Sequence, residues 1–223
     1  MSQAMTAPCP VVVMAKAPLP GLAKTRLIPA LGAAGAAALA ERLLRHAVNE
    51  AVAAGLGPVD LCCAPDPQHA AFQQLQGTHG ISLSTQSPGD IGQRMHSAFA
   101  GWWPQPGGVL LMGTDIPGLT AAVLQQARAA LADHDAVFVP ALDGGYALIG
   151  LRREAPSLFT DMPWSTPQVM AQTRQRLLAA GLRHAELPAL ADIDEPADLV
   201  HLRQLPHLLD LPDLIKPAAG APR

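Results

Sequence analysis

The feature that most narrows the fold is an alternation: short apolar runs of strand length are separated by stretches patterned as helices. "VVVMA" (11–15) is compact and β-branched, as a strand buried on both faces must be. Residues 33–54 then carry a helical apolar stripe at Leu39, Ala40, Leu43, Leu44, Ala47, Val48, Ala51 and Val52. Glu41 and Arg45 pair one turn apart on that helix, and Gly55 stops it. "VDLCCA" (59–64) and the weaker "ISLST" (81–85) read as strands, residues 90–103 as a helix ending near Gly101, and "VLLM" (109–112) as the clearest buried strand. Thr120 is placed to cap a helix over 121–133. "AVFVPA" (136–141) and "YALIGL" (146–151) are strands joined by "LDGG". Thr166-Pro167 is a cap and first-turn signal for a helix to about Ala180, Gly181 closes it, and "HAELP" (184–188) is a last short strand.

Strands alternating with helices of this length imply βαβ units and a mostly parallel sheet covered on both faces. The expectation is one α/β domain over residues 8–205, a three-layer α/β/α Rossmann-like arrangement, with flexible termini at 1–7 and 214–223. With 49% apolar and 15% charged residues, 223 residues suffice for one large core. A net charge of −3 gives no footprint for a nucleic-acid backbone, and 4% aromatics are too few for a base-stacking platform. Cys9, Cys62 and Cys63 match neither a disulfide framework nor a zinc knuckle, and read as reduced, buried thiols. No secretory signal pattern and no apolar run of membrane-span length is expected, which points to a cytoplasmic protein.

In an open α/β sheet, ligands bind beyond the carboxyl ends of the strands. That rule selects the loops after residues 15, 112 and 141 and the late loop near 190. "AKAPLPGLAKTRL" (15–27) holds Lys16 and Lys24, two of only three lysines, together with Arg26. Pro18 and Pro20 stiffen it and Gly21 lets its backbone approach a ligand, so the cluster suits a phosphate or diphosphate. It is neither a Walker loop nor a dinucleotide fingerprint, since Ala23 precedes Lys24 and Pro18 stands where the first glycine belongs. The plain alternative is a solvated basic loop. Asp115, in "GTDIPGL" (113–119), is either turn chemistry or a ligand for a divalent ion held jointly with substrate phosphates. Asp192 or Asp194, in "LADIDEPADL" (190–199), is the possible partner carboxylate, although Asp194 also suits a helix cap. "LDGGYALIG" (142–150) either forms a tight turn or exposes Asp143 and two glycines to a ligand, beside the only tyrosine, Tyr146. Trp164, Ser165 and Thr166 form a staple and cap, or a contact surface. The eight histidines show no metal-ligand spacing.

"AKAPLPGLAKTRL", "GDIGQRM", "GTDIPGL", "DGGYALIGL", "WSTPQV" and "DIDEPADL", in this order over roughly residues 10–203, resemble the bacterial DUF2064-type transferases. That family is a branch of the nucleotide-diphospho-sugar transferases with the GT-A fold, some of whose members are labelled glycosyltransferases of arsenosugar biosynthesis. The resemblance implies that Lys16, Gly21, Lys24, Thr25 and Arg26 cradle the phosphates of a nucleotide, and that Gly92 and Arg94 lie near its base and ribose. It further implies Mg²⁺ or Mn²⁺ at Asp115 with help from Asp194 or Asp192, and Asp143, Gly144, Gly145, Tyr146, Trp164, Ser165 and Thr166 facing the acceptor or sugar. Asp115, Lys24 and Asp143 would then be the catalytic groups, with Asp143 as base. The partners implied are a small-molecule nucleotide substrate and an acceptor. Two departures stand out: Gly113 occupies the first position of the D-x-D that many such glycosyltransferases carry, and "DEPADL" replaces a commoner D-T-P-E-D-L. Three readings follow: transfer of a sugar from a nucleotide-sugar donor with a divalent metal, nucleotidyl transfer from a triphosphate with release of pyrophosphate, and non-catalytic nucleotide binding.

Overall fold

A computed structural model describes residues 7–204 together with Leu208; the segments expected to be flexible fall outside these residues, Ala7 apart. Seven strands, β1 (Val11–Lys16), β2 (Val59–Ala64), β3 (Ser82–Thr85), β4 (Val109–Met112), β5 (Ala136–Pro140), β6 (Tyr146–Leu151) and β7 (His184–Glu186), form one sheet in the order β3-β2-β1-β4-β6-β5-β7. The pairs β1/β2, β1/β4, β2/β3 and β5/β7 are parallel. Only β6 runs against its neighbours β4 and β5, because the "LDGG" turn folds the chain straight back. Within residues 7–204 the α-helices are α1 (Ile28–Ala53), α2 (Ala70–His79), α3 (Ile91–Ala100), α4 (Ala121–Ala130) and α5 (Val169–Ala179).

Alternate residues of one strand feed opposite cores. Val11, Val13 and Ala15 meet Leu44, Val48, Phe72 and Leu124 from α1, α2 and α4. Val12 and Met14 meet Met95 and Phe99 of α3 and Met170 and Leu177 of α5. The layers are therefore helix, sheet, helix, and the unbroken apolar sequence of β1 follows from its being covered on both sides. A third cluster joins Leu27, Leu39 and Leu43 to Ile193 and Leu202, so the late stretch Pro196–Gln204, a 3-10 helix, lies against α1. The three cysteines are buried and unpaired, and burial pushes the Cys9 thiol up to about 11 and Cys63 to about 12.

Three elements differ from the sequence reading. Helix α2 was not expected: its buried face is only Ala71, Phe72 and Leu75, too short a stripe among glutamines to stand out. Helix α5 starts at Val169 rather than at Thr166-Pro167. Thr166 instead donates its hydroxyl to the Pro163 carbonyl (2.8 Å) and accepts from the Gln168 amide (3.4 Å), shaping the turn ahead of the helix. Finally, the stretch Thr25–Ala53 is long and apolar enough to cross a membrane by length and composition alone, where no such run was expected. It is broken at Gly32 (φ 71), and its apolar stripe enters the first and third core clusters.

Candidate functional site

A cleft of about 540 Å³ opens at the carboxyl edge of the sheet. It lies where the chain, having built β1, β2 and β3 to one side, returns to place β4 on the other. Doubly wound sheets bind ligands at such a switch of strand order. Its walls include Met14–Lys16 from β1, Leu22–Arg26 from the loop that follows, Gln86 beyond β3, Ile91, Arg94 and Met95 of α3, Gly113–Asp115 beyond β4, Tyr146 of β6 and Asp194 of the late loop.

The basic loop turns back on itself: the Leu22 and Ala23 amides both donate to the Leu19 carbonyl at 3.0 Å. Gly21 (φ 81) permits the reversal. Lys24 then adopts the left-handed conformation (φ 49, ψ 45) that side chains rarely take, and Leu27 anchors the next turn in the core. The Lys24 side chain is only 6% exposed, with its ammonium 2.5 Å from Asp115 Oδ1 and 2.9 Å from Asp194 Oδ1. A third bond goes to the Ile193 carbonyl at 2.6 Å. An ammonium has three N–H donors, and here all three are engaged. Burial alone would lower the lysine, but the two carboxylates and their hydrogen bonds outweigh it and hold its pKa above the ordinary value. The carboxylates themselves remain open to the cleft, Asp115 at 51% and Asp194 at 42% exposure.

Backbone contacts lock the two acidic loops together. The Ile193 amide donates to the Asp115 carbonyl (3.0 Å), and the Asp198 carboxylate accepts from the amides of Asp194 (3.0 Å) and Glu195 (2.7 Å). Asp198, rather than Asp194, therefore does the capping in this loop. Of the two candidate partners for Asp115, Asp194 lines the cleft and Asp192 does not. Burial pushes the Asp192 carboxyl up, and Asp143, Asp194 and Asp198 push the same way against its own backbone amide.

Lys16, Lys24, Thr25, Arg26, Arg94, Asp115, Tyr146 and Asp194 thus come together in one cleft. Lys16 is exposed at the end of β1, and Arg26 reaches to 3.9 Å from Asp194 Oδ2. Arg94 keeps one donor on the Gly89 carbonyl (3.0 Å). Gln86, not singled out from sequence, donates to the carbonyls of Ala15 (3.1 Å) and Cys62 (3.0 Å), tying the ends of β1 and β2. Its position just past a strand was the available signal, but β3 is short and half exposed, so its carboxyl end drew no notice. Tyr146 packs edge-on against Phe138 (5.4 Å) and Trp164 (6.4 Å), and burial pushes its phenol well up.

The other expected contacts lie off this cleft. Gly92 is buried in α3 where a Cβ would stand 2.5 Å from Trp164 Nε1 and 2.6 Å from the Phe159 carbonyl, so it permits close packing. Asp143 accepts from the Gly145 amide (2.8 Å), and Gly144 packs against Pro167, with its carbonyl accepting from the Met170 amide (2.9 Å). Asp143, Gly144, Gly145, Trp164, Ser165 and Thr166 sit on the β5–β6 turn and on the approach to α5, outside the lining of the cleft.

Among the described residues no three His, Cys, Asp or Glu side chains converge as a ready-made metal cage. The Asp115 and Asp194 carboxylates do converge, since both touch one ammonium. A hard divalent ion held by one or two carboxylates and completed by substrate phosphates matches that donor set.

No curated protein matches the chain. Among solved structures, a protein of Desulfovibrio desulfuricans G20, provisionally named a nucleotide-diphospho-sugar transferase, is similar over 88% of this chain and 87% of its own, with 29% identity and a TM-score of 0.78. A nucleotidyl transferase from Methanothermobacter shares the fold at 15% identity, over 90% of this chain and 98% of its own (TM-score 0.58). So does glucosyl-3-phosphoglycerate synthase of Mycobacterium tuberculosis, seen with Mn²⁺, UDP and its product, at 11% identity over 91% of this chain and 78% of its own (TM-score 0.53). The fold is thus that of the nucleotide-diphospho-sugar transferases, and the chain is of that transferase class. A family profile described as "uncharacterized protein conserved in bacteria" covers residues 28–166, more than half of the sequence, and the chain belongs to that family, DUF2064.

Proposed function

We propose that the protein transfers a sugar from a nucleoside-diphosphate donor, using a divalent ion in the Asp115–Asp194 cleft. The observation that carries this reading is the placement of two converging carboxylates and the cations Lys16, Arg26 and Arg94 around one cleft at the switch of strand order. Lys16 and Arg26 bind the diphosphate through charge-assisted hydrogen bonds. Arg94, at the start of α3, and Gln86 face the nucleoside. Asp115 and Asp194 would hold Mg²⁺ or Mn²⁺, which would supply positive charge to the diphosphate leaving group. The acceptor enters over the β5–β6 turn, where Asp143 is an exposed carboxylate able to take the proton of an acceptor hydroxyl.

Gly113 favours a second reading, nucleotidyl transfer. With no acidic side chain at that position, fewer protein charges hold the metal, while Lys16, Arg26 and Arg94 suit a more highly charged triphosphate. The products separate the two: free nucleoside diphosphate marks glycosyl transfer, and pyrophosphate marks nucleotidyl transfer. The common core is tested by thermal stabilisation with nucleoside di- and triphosphates and nucleotide sugars, with and without Mg²⁺ or Mn²⁺. A bound nucleotide at a hundredfold its dissociation constant adds about 2.7 kcal/mol. Asp115→Asn is expected to abolish the metal-dependent part of that shift. A shift untouched by the substitution would reduce Asp115 to a turn residue, and no shift with any nucleotide would sink both readings.

A further inference from the structure

The chemistry of Lys24 differs from that of a phosphate-binding lysine. Its ammonium is buried and its three donors are spent on Asp115, Asp194 and the Ile193 carbonyl, from a residue whose backbone is left-handed. Reaching a phosphate would mean giving up two charge-assisted bonds. The bonds do something else: they hold two carboxylates, from loops 79 residues apart, within reach of one point. They also cancel half of the pair's charge. Two carboxylates against one ammonium leave one unit of negative charge, with Arg26, 3.9 Å from Asp194 and mostly exposed, as a further, solvent-screened cation.

We propose that Lys24 is a positioning residue that assembles the Asp115–Asp194 pair and holds its charge too low to retain a divalent ion alone, so that the ion enters only together with the phosphates of a nucleotide. This rests on the functional reading above and adds an order to it: metal and nucleotide bind as one unit, and the empty cleft does not collect metal. The missing negative charges come from the substrate, as is usual for Mg²⁺ with phosphates. Two ligands that each supply what the other needs bind with a coupling that acts equally on both affinities.

The test is Mn²⁺ binding to the intact protein, read from the electron paramagnetic resonance signal of free Mn²⁺, alone and with UDP, GDP or CDP. In the wild type one of the nucleotides is expected to tighten Mn²⁺ by about tenfold or more, within the usual range of coupling between sites. Lys24→Met, which keeps the stem and removes the charge, is expected to tighten Mn²⁺ in the absence of nucleotide and to remove most of the nucleotide's effect. Asp194→Asn removes a charge of opposite sign and is expected to weaken the Mn²⁺ that binds together with nucleotide. Its carboxylate is partly exposed, so it serves even if Lys24→Met does not fold, as judged by circular dichroism. In that case an Asp194→Asn protein that binds Mn²⁺ with nucleotide as tightly as the wild type overturns the proposal. If Lys24→Met folds and binds Mn²⁺ no more tightly than the wild type, Lys24 is only a strut and the proposal falls, though nucleotide binding stands. If no nucleotide binds the wild type, the functional reading falls and this inference with it.

Discussion

At the scale of single residues, close contacts explain Gly144 and Gly92. Gly144 has φ 93, and a Cβ there would sit 2.2 Å from the Pro167 carbonyl oxygen. Backbone on both sides leaves no room to yield, so Gly144→Ala is expected to destabilise by about 2 kcal/mol or more. Urea denaturation measures this, and a midpoint equal to the wild type would show that the two turns separate easily. Gly92 serves α3 in the same way, against Trp164 and Phe159. Neither glycine was legible as a packing residue, because the sequence shows where the backbone is free of a Cβ but not what lies beside it. From the sequence, Asp115 was singled out with either Asp192 or Asp194 as its partner, and the structure places Asp115 and Asp194 in the cleft. Lys24 was read from the sequence as a phosphate contact; its left-handed backbone and its bonds to Asp115 and Asp194 support the positioning role proposed above, and neither could be seen in the sequence.

At the scale of elements, the late loop is the one that the site depends on most. Ile193 is fully buried in the cluster with Leu27, Leu39, Leu43 and Leu202, while its own carbonyl and amide hold Lys24 and Asp115. Ile193→Ala is expected to cost about 2–4 kcal/mol through the lost contacts and the cavity left behind. Calorimetry reads that cost, and the same variant should bind Mn²⁺ with nucleotide more weakly. Unchanged metal binding in a destabilised protein would separate the loop's packing from its role in the site. The strands were read nearly residue for residue: β4 and β6 have the limits expected, and β2 matches throughout. Their apolar runs are unbroken because both faces of the sheet are covered. Helix α2 escaped notice because one phenylalanine and one leucine suffice to seat it at the edge beside β3. The 3-10 character of Pro196–Gln204 was equally hidden, since its hold on α1 comes from Leu202 across the fold rather than from a periodic stripe.

At the scale of the whole molecule, the segments distant in sequence that meet at the cleft include these three: Lys16 with Leu22–Arg26, Gly113–Asp115, and Asp194. Binding of a nucleotide with Mn²⁺ is therefore expected to slow amide hydrogen exchange in all three together, because each supplies groups to the same ligand. Exchange in β5 and β7, on the far side of the sheet, should change little. Protection confined to a single segment would mean that the cleft is not one site. The mostly parallel architecture was readable from the alternation of strands and helices, and the cleft's location followed from the general rule for such sheets. The reversed direction of β6 has a consequence of its own. A strand that runs backwards begins, rather than ends, at the cleft, so Tyr146, the cleft-lining first residue of β6, follows directly on the short turn Leu142–Gly145 instead of on a long crossover. Such a turn can lengthen or change its residues while every strand pair and the Lys24 anchorage stay in place. On the proposed function, the choice of acceptor would then change without disturbing the residues proposed to hold the nucleotide.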